Sequence, residues 1–395
     1  MNKQLNLAVA GAVLALSAVS ANAGIMIPAG DWTLDIGGNV NTYYTSTRAS
    51  GATAANSPLG ISNSSGKTTS NITTGLLPNF LSVSGKTRQN DLDVGFTISI
   101  NPGTSTTHAA KQSPQQENRQ AFVTFGDASW GSVKLGKDLG IYASDALLSD
   151  MTLLGVGAGA GGLAGNTTTL GRIGTGFVYA DWKSQIAYSS PNWNGFSFTA
   201  GVTQAWNGTG NSQRGGASPA FEGKASYEWA GDVGGKVWAS GLSQKTEGPG
   251  GTASAWDLGA TINVAGFGLT GYYGQGNGTG TTVLFNGGVD ATGSKRDSDD
   301  YYVQGTYTIP GVGTKLGVSY GKSSLDGNSA AKEGLNGFKD SSNRMWTLGA
   351  YHPITKHLNL VAEYSDVKGE LNRRGTGADL DGKAKTIALG AILFF

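Results

Sequence analysis

AKTIALGAILFF, the stretch at residues 384–395, alternates two kinds of side chain, and this alternation decides the fold. Because successive side chains of a β-strand point to opposite faces, one face of this stretch is uniformly apolar and carries Ile387, Leu389, Ala391, Leu393 and Phe395. The length is close to the roughly 9–11 residues that a tilted strand needs to cross a bilayer. The stretch predicts the closing strand of a transmembrane barrel, which must pair with the first strand because lipid tolerates no unpaired edge. The alternative is the last strand of a soluble β-sandwich.

The first 23 residues have the form of an export signal. Lys3 supplies a positive start, a short apolar core follows at residues 5–19, and residues 21–23 give an A-x-A cleavage site. The core is too short to cross a membrane as a helix, and no later apolar run reaches the roughly 18 residues that a spanning helix needs. We therefore predict a signal peptide at residues 1–23 and one exported domain, the barrel, at residues 24–395.

The composition excludes several kinds of protein. There is no cysteine, so thiolate metal sites, thiol nucleophiles and disulfides are all excluded. Loss of the signal would remove Lys3 and leave basic and acidic residues equal in number, which argues against nucleic-acid binding. Glycine is abundant (64 residues) without a G-X-Y period, and only 10 prolines occur. This composition favours many β-strands joined by polar turns.

Period-2 alternation recurs in twelve or more segments of the chain. In the clearest segment, residues 92–100, five apolar residues share one face and Asp93, Gly95, Thr97 and Ser99 share the other. The connections between such segments are alternately short and long. Short connections lie at residues 88–91, 126–131, 191–195, 230–235, 265–267, 310–313 and 353–356. Long connections lie at residues 48–78, 101–117, 137–181, 203–220, 243–253, 275–299, 323–342 and 368–383.

This pattern of connections distinguishes the two fold hypotheses. Seven short and eight long connections join sixteen strands, and a transmembrane barrel has a tight turn at one end and a long loop at the other end of its hairpins. A soluble sandwich gives no reason for such segregation. We therefore predict an all-β fold, a transmembrane antiparallel β-barrel of sixteen strands with short periplasmic turns and long outer loops. A barrel of that size encloses water, which explains the polar second face of its strands.

Three motifs that suggest enzyme chemistry are weak in this context. Residues 157–162 match G-x-G-x-x-G, but neither the preceding strand nor the long following helix of a dinucleotide site is present. Ser-Gly-Lys-Thr occurs at residues 65–68 and 84–87, with the upstream glycine of a P-loop misplaced. Only three histidines occur, and neither H-E-x-x-H nor G-x-S-x-G is present. We predict no enzyme activity, no cofactor and no metal.

With the strands placed, three segments resemble the general porins of Gram-negative bacteria, of the neisserial and β-proteobacterial type. They are AFVTFGDASWGSVKLGKD at residues 121–138, QIAYSSPNWNGFSF at residues 185–198 and TLGAYHPITKHLNLVAEY at residues 347–364, and the terminal Phe395 fits as well. The resemblance covers the exported chain in topology. It implies a homotrimer of sixteen-stranded barrels in the outer membrane, in contact with its lipid. It also implies that the third long loop folds into the pore as the constriction.

The third long loop is residues 137–181, and its first half carries Asp138, Asp145 and Asp150. Its second half, residues 155–165, is nearly all Gly, Ala, Leu and Val and departs from the pattern expected of the family. This half could pack against the barrel wall, contact a neighbouring subunit or be mobile, and the sequence leaves these possibilities open.

Charged side chains on the polar strand faces are the candidate selectivity residues. Strand parity points several basic side chains inward, among them Lys86, Arg88, Lys134 and Lys183. In the family that the chain resembles, basic residues of the wall face acidic residues of the inward loop, and the field between them orients polar solutes. The resemblance implies that these four residues and the three loop aspartates form the constriction. The alternative is that they are solvated charges of the lumen without a special role.

The sequence leaves three functions open. Passive diffusion of ions and small hydrophilic solutes through a water-filled channel is favoured. A substrate-specific channel would need an aromatic or arginine ladder along the lumen, whereas Trp32, Phe96 and Trp256 fall on the lipid face. A non-conducting surface or adhesive barrel is the third hypothesis. A current that saturates with one solute would favour the second function, and a lack of conductance would favour the third.

Overall fold

The computed structural model describes residues 24–51, 68–104, 116–159, 168–206, 218–245, 251–290 and 292–395. The predicted signal peptide at residues 1–23 lies outside these ranges. Within them, none of the helices has the length and apolar character that a membrane crossing requires.

Nineteen β-strands make up most of the described chain, and their pairings are all antiparallel. The strands are β1 (Ile25–Ala29), β2 (Trp32–Gly51), β3 (Thr68–Thr73), β4 (Phe80–Gln89), β5 (Leu92–Pro102), β6 (Gln116–Glu117), β7 (Ala121–Asp127), β8 (Gly131–Leu139), β9 (Trp182–Ser189), β10 (Phe196–Thr203), β11 (Ala220–Trp229), β12 (Val233–Lys245), β13 (Thr252–Val264), β14 (Phe267–Asn277), β15 (Asp297–Thr308), β16 (Lys315–Asp326), β17 (Phe338–Pro353), β18 (Leu358–Arg373) and β19 (Leu380–Phe394). The described helices are short: α1 (Ser144–Ser149), a 3₁₀ helix (Met151–Leu154) and α2 (Ala330–Glu333).

The sheet closes on itself as a barrel of sixteen strands. The last strand, β19, pairs with β2 as far as Phe394 opposite Asn39, and Phe395 and Gly38 exchange two backbone hydrogen bonds of 3.0 and 2.8 Å. Two barrel strands are each in two pieces, since β2 pairs with both β3 and β4, and β5 pairs with both β6 and β7. The short strand β1 lies along β2 in addition. The predicted closing strand and strand number are confirmed, and the sandwich alternative is wrong.

The predicted alternation of side chains is also confirmed. On β19, Ile387 and Leu389 are 52% and 53% exposed on the outer face, whereas the neighbouring Thr386 and Ala388 are buried inside the barrel. On β5, Ile98 is exposed on the outer face. An apolar outer face with polar and small residues inside is the side-chain distribution of a barrel surrounded by lipid.

Tight turns join the strands at one end of the barrel. In the turn between β4 and β5, Asn90 and Asp91 both have positive φ angles, 50° and 62°. Between β13 and β14, Ala265 and Gly266 have φ angles of 49° and 82°. Two successive residues at positive φ form the type I′ turn, whose twist matches that of the flanking strands. These turns leave the long connections at the opposite end.

The third long loop folds into the barrel, as the resemblance implied. We call its described residues, 140–159 and 168–181, the inward loop. It begins after β8, contains α1 and the 3₁₀ helix, and returns to β9. Its apolar side chains are buried, among them Tyr142, Ala146, Leu153, Val156, Leu170, Ile173 and Phe177. The inward loop is therefore a packed layer against the inner wall of the barrel.

The described part of the Gly-rich half packs closely against the wall. Gly155 accepts a 2.8 Å hydrogen bond from the backbone N–H of Leu76, and a Cβ atom on Gly155 would lie 2.2 Å from the carboxylate of Glu363. Gly157 has a φ of 57°, and its Cβ would lie 2.6 Å from the backbone of Gly171. Only glycine fits these positions. Packing against the wall thus holds for residues 155–159, and residues 160–167 lie outside the described part.

A second long connection also turns inward, which the sequence did not indicate. In the β14–β15 connection, Leu284 and Phe285 are buried. Thr282 accepts a 2.8 Å hydrogen bond from the backbone N–H of Tyr179 in the inward loop. The sequence predicts a long outer loop at residues 275–299, and the structure adds that part of this connection bends into the barrel interior, where its apolar side chains pack.

Candidate functional site: the inward loop and its anchors on the barrel wall

A buried carboxylate on β11 holds the start of the inward loop. Glu222 Oε2 accepts the backbone N–H groups of Ile141 and Tyr142 at 2.8 and 2.9 Å. Glu222 Oε1 accepts from Lys183 Nζ at 2.5 Å and from the hydroxyl of Thr203 at 2.8 Å. Both side chains of the Lys183–Glu222 pair are fully buried. Lys183 therefore stabilises Glu222 as an anchor of the loop, and it does so from a buried position and not from the surface of the channel.

A second buried carboxylate, on β18, holds the middle of the inward loop. Glu363 Oε2 accepts the backbone N–H groups of Val156 and Gly157 at 2.7 and 2.8 Å. The hydroxyl of Tyr351 donates to Glu363 Oε1 at 2.6 Å. Close by, the hydroxyl of Tyr43 donates to the carbonyl of Leu154 at 2.7 Å. Among the residues that the structure describes, no basic side chain pairs with Glu363.

Two serines of the wall hold further backbone groups of the loop. Ser240 Oγ accepts from the N–H of Ala143 at 3.2 Å and donates to Asp257 Oδ1 at 2.7 Å. Ser323 Oγ accepts from the N–H of Gly176 at 2.9 Å, and Asp300 lies opposite Ser323 in the strand register. We call Glu222, Asp257, Asp300 and Glu363 the wall acids. They accept hydrogen bonds from the loop backbone, or they lie beside the serines that do so, and they do not line an open channel.

Asp145 on α1 is the loop acid that meets basic residues of the wall. Its carboxylate lies 3.0 Å from Lys224 Nζ and 2.7 Å from Lys236 Nζ, and Lys236 also pairs with Glu228 at 3.0 Å. Burial by itself would raise the pKa of Asp145, but the two lysines lower this pKa to about 2. Asp145 is thus held as an anion between two cations that are partly exposed in the lumen.

Asp138 and Asp150 are engaged in other ways. Asp138, at the end of β8, is buried, pairs with Lys134 and accepts from Gln120 Nε2 at 3.0 Å. Asp150 accepts from the N–H and hydroxyl of Thr152 at 3.0 and 2.5 Å, and it lies 3.8 Å from Arg172 Nε. Burial raises the pKa of Asp150. The Lys134–Asp138 pair lies within β8 and does not join the wall to the inward loop, and Asp150 faces its own loop.

Arg172 joins the returning arm of the loop to the wall. It is fully buried, and its Nη1 donates to the carbonyl of Met345 at 3.3 Å. Its guanidinium lies over the ring of Tyr302, 5.8 Å from the centroid. Burial lowers the pKa of Arg172. With Asp150, Arg172 links the two arms of the inward loop.

The two remaining candidates lie on β4. Arg88 pairs with Asp93 and Asp127, each at 2.9 Å, beside the short turns. Lys86 faces the lumen and is exposed. Within the described ranges, no hydrogen bond or ion pair joins Lys86 or Arg88 to the inward loop. The selectivity function of the seven candidate residues stays a prediction.

Several important residues were not selected from the sequence. Glu222 holds the inward loop, Lys236 faces it and Arg172 belongs to it. Lys236 and Arg172 lie near strand or loop ends, where parity is an uncertain guide. The sequence signal that could have identified Glu222 is its position as an acid on the polar face of β11, beside basic residues that point inward. In the described part of the chain, no group of three or more His, Asp or Glu side chains is arranged to hold a metal.

Comparisons with known proteins agree with this geometry. The chain is similar to solved structures titled an anion-selective porin from Comamonas acidovorans (TM-score 0.62, 15% identity, 92% of this chain and 100% of that chain) and the outer membrane channel DcaP of Acinetobacter baumannii (TM-score 0.64, 16% identity, 94% and 100%). A third is a Salmonella typhi OmpF complex with daunomycin (TM-score 0.58, 15% identity, 94% and 100%). No curated protein matches the chain. A family model described as Gram-negative porin matches residues 9–372, and the chain therefore belongs to the Gram-negative porin family.

Proposed function

We propose that the chain forms a water-filled channel of the outer membrane for passive diffusion of ions and small hydrophilic solutes. The observation that carries this proposal is the inward loop, whose backbone is held at several points by Glu222, Glu363, Ser240 and Ser323 of the barrel wall. A loop held in this way narrows the channel to a constant width. Size exclusion then follows from the geometry, and charge at the opening sets ion preference.

At the constriction we propose a preference for anions. The three candidate aspartates, Asp138 on β8 and Asp145 and Asp150 in the inward loop, are all buried and paired with cations. By contrast, Lys134, Lys224 and Lys236 keep part of their surface exposed, against one exposed acid beside them, Glu228. A solute near the loop would therefore meet more positive than negative charge. The same fold carries such a preference in the Comamonas acidovorans structure, which is titled an anion-selective porin.

We further propose export through the signal at residues 1–23 and assembly as a homotrimer. An OmpT structure with the same fold is titled a trimer form, at 15% identity to this chain. The expected observation is a detergent-stable oligomer with β-type circular dichroism that becomes a monomer on boiling. A spectrum dominated by helix, or migration as a monomer before boiling, would contradict this assembly.

The test is the reversal potential of single channels in a KCl gradient, for the wild type, Asp145→Asn and the control Asp381→Asn. Asp381 is an exposed acid on the outward-facing side of β19. Asp145→Asn leaves the partly exposed Lys224 and Lys236 without their shared carboxylate. One uncompensated charge about 4 Å from a solute is worth about 1 kcal/mol in water, so the anion-to-cation permeability ratio should rise on the order of fivefold. The control should leave this ratio unchanged.

The pH dependence adds a second criterion. Because the pKa of Asp145 is lowered to about 2, its charge is fully present above about pH 4 and is lost only as the pH falls toward 2. The difference between wild type and Asp145→Asn should therefore be constant from pH 4 to pH 7. Equal shifts in Asp145→Asn and Asp381→Asn would show that the inward loop is not the constriction, and a lack of conductance would overturn the channel itself.

A further inference from the structure

Two of the wall acids face each other across a glycine on the inner side of the barrel. In the strand register, Asp257 of β13 lies opposite Gly274 of β14, and Gly274 lies opposite Asp300 of β15. Asp257 and Asp300 are 1% and 4% exposed. Because neighbouring strands are about 4.8 Å apart, the backbones of the two aspartates are separated by about 10 Å. No side chain occupies the intervening position of β14, and we call this space the glycine gap.

A tyrosine hydroxyl lies over the glycine gap. Tyr272, two residues before Gly274 and on the same face of β14, is 4% exposed. A Cβ atom on Gly274 would lie 2.6 Å from the hydroxyl oxygen of Tyr272 and 3.4 Å from Cβ of Asp257. Any larger residue at this position would therefore displace the hydroxyl. Asp257 and Asp300 both act electrostatically on Tyr272, so the three polar groups converge on one place.

Each polar group at the glycine gap has an atom without a partner. In the part of the chain that the structure describes, Asp257 Oδ2, Asp300 Oδ1 and the Tyr272 hydroxyl are buried and make no hydrogen bond. The other carboxylate oxygen of Asp257 accepts from Ser240 Oγ at 2.7 Å. A buried polar atom without a partner costs about 1–3 kcal/mol. Three such atoms at one place point to a bound ligand.

The two carboxylates at the glycine gap lack a basic partner. Within the described ranges, neither Asp257 nor Asp300 forms an ion pair. Lys224, a basic residue that acts electrostatically on Asp257, pairs with Asp145 at 3.0 Å. Buried charges in proteins are paired with an opposite charge or coordinate a metal. Two buried carboxylates without a basic partner therefore favour a ligand with two positive charges.

We propose that the glycine gap binds a calcium ion, with Asp257, Asp300 and the Tyr272 hydroxyl as protein ligands. Calcium takes about six to eight oxygen ligands in flexible geometry, and carboxylates and waters are usual among them. Magnesium demands a near-ideal octahedron and loses its water reluctantly, so calcium suits this buried site better. The described chain has no larger acidic group for a metal, but two carboxylates already balance the charge of the ion. No sequence motif indicates the site, because its ligands lie on three different strands.

The ion would support both arms of the inward loop. On either side of the glycine gap, Ser240 lies opposite Asp257 and Ser323 lies opposite Asp300. Each serine accepts a backbone N–H group of the loop, one in the first arm and one in the returning arm. An ion that fixes the two aspartates therefore also stabilises the two serines. Metal binding is measured without any channel recording, so this inference and the proposed function can fail independently.

The test uses the full barrel, which is unfolded in the chelator EGTA and refolded in detergent over a series of calcium chloride concentrations. Unfolding is needed because a buried ion exchanges slowly in the folded protein. The variants are Asp257→Asn/Asp300→Asn and Tyr272→Phe, and the matched control is Asp379→Asn/Asp381→Asn, two exposed acids away from the gap. After free metal is removed, calcium per chain is measured by mass spectrometry of the elements. Melting is followed by circular dichroism.

We expect the wild type and the control to retain one calcium ion per chain and Asp257→Asn/Asp300→Asn to retain none. Tyr272→Phe keeps both charges and should need at least tenfold more calcium for half-saturation. Calcium should raise the melting temperature of the wild type and not that of the double variant. In EGTA the double variant should melt no lower than the wild type, because neutral amides replace two unpaired carboxylates. A purely structural role of the aspartates would lower its melting temperature under both conditions.

Three results would overturn the proposal. A wild type that retains no calcium and melts at the same temperature with and without it would show that the two acids are held uncharged. Equal calcium retention by the wild type and the double variant would place the ion elsewhere on the barrel. Where the double variant fails to fold, Tyr272→Phe decides, since half-saturation at the wild-type calcium concentration would exclude the glycine gap as the site.

Discussion

The buried pair of Lys183 and Glu222 gives the sharpest test of how the loop is held. Both side chains are fully buried at 2.5 Å, and the same carboxylate accepts two backbone N–H groups of the loop. Glu222→Gln removes the negative charge and keeps the shape. Lys183 then remains in the interior as a cation without a counter-charge, and the start of the inward loop loses its anionic acceptor.

The size of the effect follows from this burial. Removing one partner of a buried ion pair costs about 3–5 kcal/mol, because the other charge stays buried and unpaired. We expect Glu222→Gln to lower the free energy of unfolding by that amount. Lys183→Met should also be destabilising. The double variant Glu222→Gln/Lys183→Met should lose at least about 2 kcal/mol less than the sum of the single variants, because no unpaired charge remains.

The assay is guanidinium unfolding of the barrel in lipid vesicles, followed by tryptophan fluorescence, with single-channel noise recorded in parallel. Arg88→Gln is the control, since Arg88 is half exposed beside the short turns, and it should change the free energy of unfolding far less. Additive losses in the double variant, within about 0.5 kcal/mol, would refute the account of Lys183 and Glu222 as a coupled anchor.

Two further predictions concern the wall and the loop. Leu258→Arg, on the outer face of β13, should impair assembly by about 2–4 kcal/mol. Thr261→Arg, on the inner face, should assemble, as measured by heat-modifiable gel mobility. Equal effects of the two variants would disprove the assigned faces. Glu363→Ala leaves the N–H groups of Val156 and Gly157 without their acceptor, at about 1–3 kcal/mol each. This variant should raise single-channel conductance and noise, with Asp381→Ala as control, and an unchanged conductance would mean that the loop is held without Glu363.

Thr97 shows that residues on the inner face of the barrel differ in how deeply they are buried. Thr97 has the parity of a lumen residue, so the sequence predicts that a charge is tolerated there. In the structure Thr97 is buried and lies 2.9 Å from the hydroxyl of Ser84. A charged side chain at Thr97 would therefore be buried and destabilising, whereas Thr261 is only partly buried inside the barrel.

The sequence by itself determined the barrel. Alternation along a strand is a local property of period two, so the apolar faces of β5 and β19 could be assigned without any partner strand. The segregation of short and long connections then gave the strand number, and the Gly, Asn and Asp residues marked the tight turns. Strand parity also placed Lys183 inside the barrel correctly.

What each inward charge does was decided only by the tertiary structure. Parity gives the side of the wall on which a side chain lies, but not whether a loop covers that side. The contacts that decide this join residues far apart in the chain, such as Glu363 with Val156 and Glu222 with Ile141. The sequence treated inward acids as charges of the lumen. The fold uses Glu222 and Glu363 as acceptors for the loop backbone, because a buried N–H group without an acceptor is costly and an inward loop has many of them.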